Sequence, residues 1–361
     1  MATNLHSRRE FLQLSALTGI ALVTGCASSG PKPTTSSKLV GCATDGKGNY
    51  MLAATNISGE LLYTHPLASR GHSVAHSQKT NHIGVFARRP GYYLDILDAD
   101  SGAQLQSLEP PKDRFFYGHG VYDNDSSLLY TTEGVTDTCE GVIGIYDASN
   151  KYRRIGEWTG FGIGPHQIAQ LSTGVLVIAV GGIQTHGRDK INLSSMKPQI
   201  AYLDPQSGKV LQTVSLSDHQ LSIRHLAVDD KDEVFFAQQL QREAIETHPQ
   251  LIMRHKLGNQ EAKQLLISNR LHNKIDYIGS IGVTKKTVVA SAPRANLLLV
   301  FDKASGQQIT SLNQREACGI ATTNSGFYTN NYLGQIISTN RDKVSIYNGP
   351  ALVWDNHWSH I

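Results

Sequence analysis

The chain has 361 residues, 40% of them hydrophobic and 17% charged, with 33 Lys and Arg against 30 Asp and Glu. This is an ordinary globular composition, long enough for two average domains or for one large all-β or α/β domain. A net charge of +3, with no basic run interleaved with aromatics, excludes nucleic acid as an expected partner.

Residues 1–26 read as an export segment. The pair Arg8-Arg9, followed by Phe11 and Leu12, resembles a twin-arginine signal, and "LVTGC" resembles a lipobox with Cys26 as the residue to be lipidated. The apolar run between them, about 15 residues, is short for a membrane span. Residues 27–38, rich in Ser, Pro, Thr and Lys, read as a flexible tether, and 39–361 as the folded body. No Asp follows Cys26, so the expected location is the periplasm, with a lipid anchor in the outer membrane. The body keeps Cys42, Cys139 and Cys318, an odd set that leaves at least one free thiol or ligand in an oxidising compartment.

Along the body a turn of the type Asp-x-x-Ser-Gly recurs between strand-like flanks. It falls at Gly59, Gly102, Asn150 (in the glycine place), Gly208, Gly258, Gly306 and Gly349. Each occurrence reads as a β-hairpin, and no sustained helical periodicity follows the export segment. A period of roughly 50 residues with several strands per unit predicts a β-propeller. Seven units predict an all-β, seven-bladed propeller of four-stranded blades, with "KLVGCA" closing the ring beside the C-terminal strands; six or eight blades are the alternatives.

A second pattern runs between the hairpins. Segments beginning at His119, His166, His225 and Cys318 align without a gap, and the segment from His72 fits with a slightly longer turn. Gly279 takes this place in the sixth unit, and Gly41 or Cys42 in the first. Equivalent positions on the innermost strands of a propeller form a ring around its channel. Imidazole and thiolate are ligands for borderline transition metals, which makes His72, His119, His166, His225 and Cys318 candidate metal ligands. A ring of histidines also suits an anion or plain polar packing.

Several arginines fall close to this register: Arg70, Arg114, Arg224 and Arg294, with Arg88 and Arg89 nearby. Their guanidinium forks suit carboxylate or phosphate and mark a candidate cofactor-binding set. A cationic mouth keeps histidines neutral but repels a bare cation, so a chelated metal, or a metal bound with an anion, reconciles the two. The segment Gly181–Pro198 is long for a blade turn and carries His186, Arg188, Asp189 and Asn192, a polar insertion of the kind that covers a site. Glu133 ends a strand and reads as a general base, a metal ligand or a solvated turn residue. No GxSxG, HExxH, P-loop, dinucleotide fingerprint or CxxCH is present, so no enzyme class is indicated.

The stretches "RGH", "FARRPG", "FYGHGVY", "LYTTE", "GVIGIYDA", "GIGPHQI", "GGIQTHGRDKINLSSMKP", "LSIRHLA" and "YIGS" together resemble, in order, the signatures of a bacterial periplasmic family, domain-of-unknown-function family 1513. The family's usual "ANGG" reads "AVGG" here, at Ala179–Gly182. The resemblance implies a seven-bladed propeller with a twin-arginine leader. It also implies a genetic neighbourhood of imelysin-like, iron-regulated lipoproteins and a di-haem protein, and hence a part in metal acquisition with those proteins as partners.

The resulting expectation is a periplasmic propeller that binds iron, copper or a metal complex at a histidine ring. Two alternatives are a metal-dependent hydrolase or oxidoreductase using the same ring, and a scaffold that docks a partner protein.

Overall fold

The computed structural model describes residues 37–361 apart from 188, 243–247, 332 and 341–342. Cys26 and the export segment lie outside the described residues. Lys38 already opens the first strand, Lys38–Thr44.

The body is a seven-bladed β-propeller of four-stranded antiparallel blades. The innermost strands of blades 1 to 6 are Gly71–Ser77, Arg114–Tyr122, Pro165–Gln170, Leu221–Val228, Ser280–Val283 and Ile320–Thr322. Blade 7 is made from both ends of the folded body. Val353–His360 is innermost, Lys38–Thr44 lies next to it, and Tyr50–Asn56 and Leu61–Pro66 follow outward. Residues 39–43 therefore pair in the closing blade, as expected. The register expected at Gly41 or Cys42 is corrected, because that strand is second from the channel and the innermost place belongs to the C-terminal strand.

Sequence pattern follows depth. Second strands such as Leu176–Val180 are packed between blades on both faces and read as unbroken apolar runs. Outer strands such as Leu61–Pro66 alternate and are largely exposed. Seven principal apolar clusters each fill one seam between neighbouring blades, for example Phe86, Leu94, Phe116 and Leu129 between blades 1 and 2. Helix is confined to the single turns Asn269–His272 and Pro293–Ala295 among the described residues.

The recurrent turn joins third to fourth strands at Gly59, Gly102, Asn150, Gly208, Gly258 and Gly306; the hairpin expected at Gly349 is corrected, because that glycine lies in the crossing from the outermost strand of blade 6, Lys343–Asn348, to the innermost strand of blade 7. In the recurrent turn the Asp carboxylate caps the following amides; Asp98 Oδ1 accepts from Ser101 N at 2.8 Å. Gly102 has φ +72°, and a Cβ there would lie 2.3 Å from the Tyr63 ring of blade 7, so the turn also seats one blade against the next. At the turn read with Asn150 in the glycine place, the left-handed residues are instead Lys151 and Tyr152.

Candidate metal centre

Five histidines meet in the channel: His72, His119, His166, His225 and His357, on the innermost strands of blades 1, 2, 3, 4 and 7. Each is delivered by a local break in strand pairing. The register shifts between Gly71 and Val74, Phe116 and Gly120, Pro165 and Ile168, and Ile223 and His225. On Val353–His360 the shift between Trp354 and Trp358 leaves Asp355, Asn356 and His357 out of register. A bulge bends a strand and re-aims its side chains, so it can turn an imidazole toward the axis. The innermost strands of blades 5 and 6 pair without a shift and contribute no histidine.

The bulges are stapled to one another across the seams. Ser73 Oγ donates to Gly118 O. Thr132 Oγ1 lies 3.1 Å from the carbonyl oxygens of both His119 and His166. The Gln167 amide exchanges two bonds with the Leu226 backbone, at 3.0 and 3.1 Å. The two glycines flanking His119 are required by their neighbours. Gly118 has φ +106°, and a Cβ there would meet His72 Cδ2 at 2.7 Å; a Cβ at Gly120 would meet Phe86 Cζ at 2.4 Å.

Ring centroids lie 4.5 Å apart for His72–His357 and His119–His357, 4.8 Å for His119–His166 and 4.9 Å for His72–His119 and His225–His357. One ligand nitrogen from each of His72, His119, His166 and His357 falls within 4.8 Å of the others. Around a metal with bonds of about 2.1 Å, tetrahedral ligand atoms stand about 3.4 Å apart, so a movement of at most about 0.8 Å per ring closes the shell.

One ring nitrogen of each of the five histidines is unpartnered. His72 Nε2, His119 Nε2, His166 Nδ1, His225 Nδ1 and His357 Nε2 are all buried without a hydrogen-bond partner. Buried polar atoms are normally satisfied, so five such exceptions in one cluster of rings are an arrangement that a bound cation would satisfy. His72 shows how the lone pairs are set. Its Nδ1 donates to Asp355 Oδ1 at 3.0 Å, which leaves Nε2 as the bare acceptor. Arg70 Nε donates to Asp355 Oδ2 at 2.7 Å and fixes that carboxylate in turn.

Burial holds His119, His166 and His357 well below the usual imidazole range, and mutual repulsion among the rings adds to it. His225 is pushed down to about 3 by burial, with His72 and Arg224 adding to it. All four are thus neutral, as metal ligands must be. Burial alone would raise the Asp355 carboxyl, but the His72 hydrogen bond, Arg70 and the Asn356 N–H leave it well below the carboxylate range.

The structure brings together the histidines at 72, 119, 166 and 225, and adds His357. Arg70 and Arg224 stand beside them, Arg70 through Asp355 and Arg224 through its place next to His225 in the bulge of blade 4. Cys318 precedes its strand and donates from Sγ to Glu316 O at 3.0 Å, outside the four-histidine group. Arg114 pairs with Glu157 at 3.1 Å. Arg294 lies on the exposed rim, paired with Asp276 at 2.9 Å and stacked 4.5 Å from the Tyr277 ring centre. Glu133 is neither solvated nor a ligand here: fully buried, it accepts from Thr131, Tyr146 and Arg154 inside blade 2. His186 is exposed on the small hairpin Thr185–Lys190, while Asn192 ties the insertion together through Gln184 and Gly182.

A family model described as "Protein of unknown function (DUF1513)" matches residues 65–361. The chain belongs to the DUF1513 family. The matched region contains all five histidines and Asp355 of this DUF1513 chain, and among the described residues it leaves out the chain before residue 65, which forms the outer strands of blade 7. No curated protein matches the sequence. Among solved structures it is similar to Kuenenia stuttgartiensis hydrazine synthase, with 9% identity and a TM-score of 0.65 over 92% of this chain and 100% of that one. At that identity the likeness concerns the fold alone.

Proposed function

We propose that this DUF1513 protein is a periplasmic, lipid-anchored propeller that holds one transition-metal ion, iron or copper, in its histidine ring and serves metal acquisition without turnover. The observation that carries the reading is the set of five buried, unpartnered imidazole nitrogens, one of them oriented by the Arg70–Asp355 pair. An imidazole-rich shell favours iron, copper, nickel or zinc over magnesium and calcium, which take oxygen ligands. The cation can be exchanged with a periplasmic metal-uptake partner, for which an imelysin-like lipoprotein or a di-haem protein is proposed.

Competition with a chelator tests it. His119→Ala should weaken metal binding at least tenfold, about 1.4 kcal/mol. The combined alanine variant at 72, 119, 166 and 357 should bind none at that site while keeping its β-sheet signature. An affinity unchanged in that variant would leave only an anion site or polar packing.

A further inference from the structure

The mouth of the histidine ring carries a cation that the metal does not explain. Arg224 is only 8% exposed, sits in the bulge beside His225, and has a buried Nε without a hydrogen-bond partner. Among the described residues no carboxylate forms an ion pair with it. Its guanidinium carbon would stand 3.4 Å from a Cβ on Gly181, in the seam between blades 3 and 4. Its charged surroundings are cationic: Arg89, which donates to Thr185 Oγ1 at 2.9 Å, and Lys190, which donates to Gln241 Oε1 at 2.7 Å, both act on the same space.

Charge balance shows what is missing. Imidazole ligands carry no negative charge to offset a divalent ion. The nearby carboxylate, Asp355, is already matched by Arg70. A bound metal and the buried Arg224 together would leave an excess of positive charge, which is costly unless something negative enters with the metal. A guanidinium offers forked donors at the spacing of two oxygens of one oxyanion.

We infer that Arg224 forms an oxyanion subsite beside the histidine ring, where a small carboxylate or inorganic oxyanion binds together with the metal and bridges it to the guanidinium. This rests on the metal-binding reading above and adds the second ligand. The anion brings its own charge and oxygen donors, and no bond is made or broken beyond coordination.

The test is a chelator competition with zinc(II) as a redox-silent probe, in buffer free of other oxyanions. It is run alone and then with acetate, bicarbonate or sulfate. At least one anion should tighten wild-type zinc binding by about tenfold or more. Acetate or bicarbonate as the effective partner identifies a planar carboxylate-type ligand, and sulfate a tetrahedral one. Arg224→Met should abolish the tightening, while zinc alone still binds, more tightly than in wild type because the adjacent positive charge is gone. Arg224→Lys, which keeps charge without the fork, should retain only part of it and carries the comparison if the methionine variant fails to fold. Wild-type binding unaffected by all three anions, or tightening that persists in Arg224→Met, overturns the subsite. Absence of zinc binding in every arm instead sinks the metal centre, and this inference with it.

Discussion

At the scale of the residue, the site turns on His72 and Asp355. The carboxylate fixes which imidazole nitrogen carries the proton, and Arg70 fixes the carboxylate. Asp355→Asn keeps the shape but loses the charge, and its amide can donate where an acceptor is needed. Metal affinity should fall about 10- to 100-fold, read by chelator competition, with a folded β-sheet spectrum retained. Proton linkage is a second readout. His119, His166, His225 and His357 are held neutral in the fold, whereas in the unfolded chain each titrates near its ordinary value of 6.5. Below that value the unfolded chain binds more protons, so stability declines as pH falls from about 6.5 toward the folded values, about 3 for His225. Asp355 acts in the same direction but lower: its contribution is present above its ordinary 3.8 and is lost as pH falls below it. The metal-free protein should therefore melt at a lower temperature at pH about 5.5 than at about 7.5, and the combined histidine variant should lose most of that difference. Equal midpoints for the wild-type protein at the two pH values would contradict the buried neutral ring.

At the scale of the element, the bulge is the unit that makes a ligand. Blades 1 to 4 and 7 have one and supply a histidine each; blades 5 and 6 pair regularly and supply none. Gly118→Ala tests this coupling. It forces a side chain onto φ +106° and against the His72 ring at 2.7 Å. The expected cost is about 1–3 kcal/mol in denaturant unfolding, together with at least a tenfold loss of metal affinity. Gly174→Ala, at φ +91° with open space around it, should show the backbone cost alone and bind metal as wild type does. The turn repeat and the aligned histidine segments were legible because a propeller repeats both hydrophobic period and register. His357 was not, because it lies on the one innermost strand whose partner does not follow it in sequence, so the run of histidine, turn and second strand is missing; the alternation in "VWDNHWSH" was its signal. Cys318 aligned equally well in sequence but lies ahead of an unbulged strand, and an alignment of letters carries no information about bulges. Asp355 and the salt-bridged burial of Glu133 depend on contacts between strands distant in sequence, which a single-chain pattern does not encode.

At the scale of the whole molecule, closure of the ring and assembly of the site are the same event. Val353–His360 pairs with Lys38–Thr44, and in doing so brings Asp355 and His357 to the His72 edge. Removing residues 353–361 should open the ring, expose the seam at Leu39, Ala53 and Ile336, and abolish metal binding, with a thermal midpoint lowered by about 10 °C or more. A truncated chain that melts like the full one would separate closure from stability. Export is tested independently: mass spectrometry of the membrane fraction should find a mature chain beginning at lipidated Cys26, and an unmodified start elsewhere would remove the anchor. The central claim is tested most directly by X-ray absorption at the metal edge of protein folded and loaded in its native compartment. It should show about one ion per chain, with four or five nitrogen ligands at about 2.0–2.2 Å and the scattering signature of imidazole rings. A sample carrying no stoichiometric metal, or a first shell of oxygens without imidazole scattering, would contradict it.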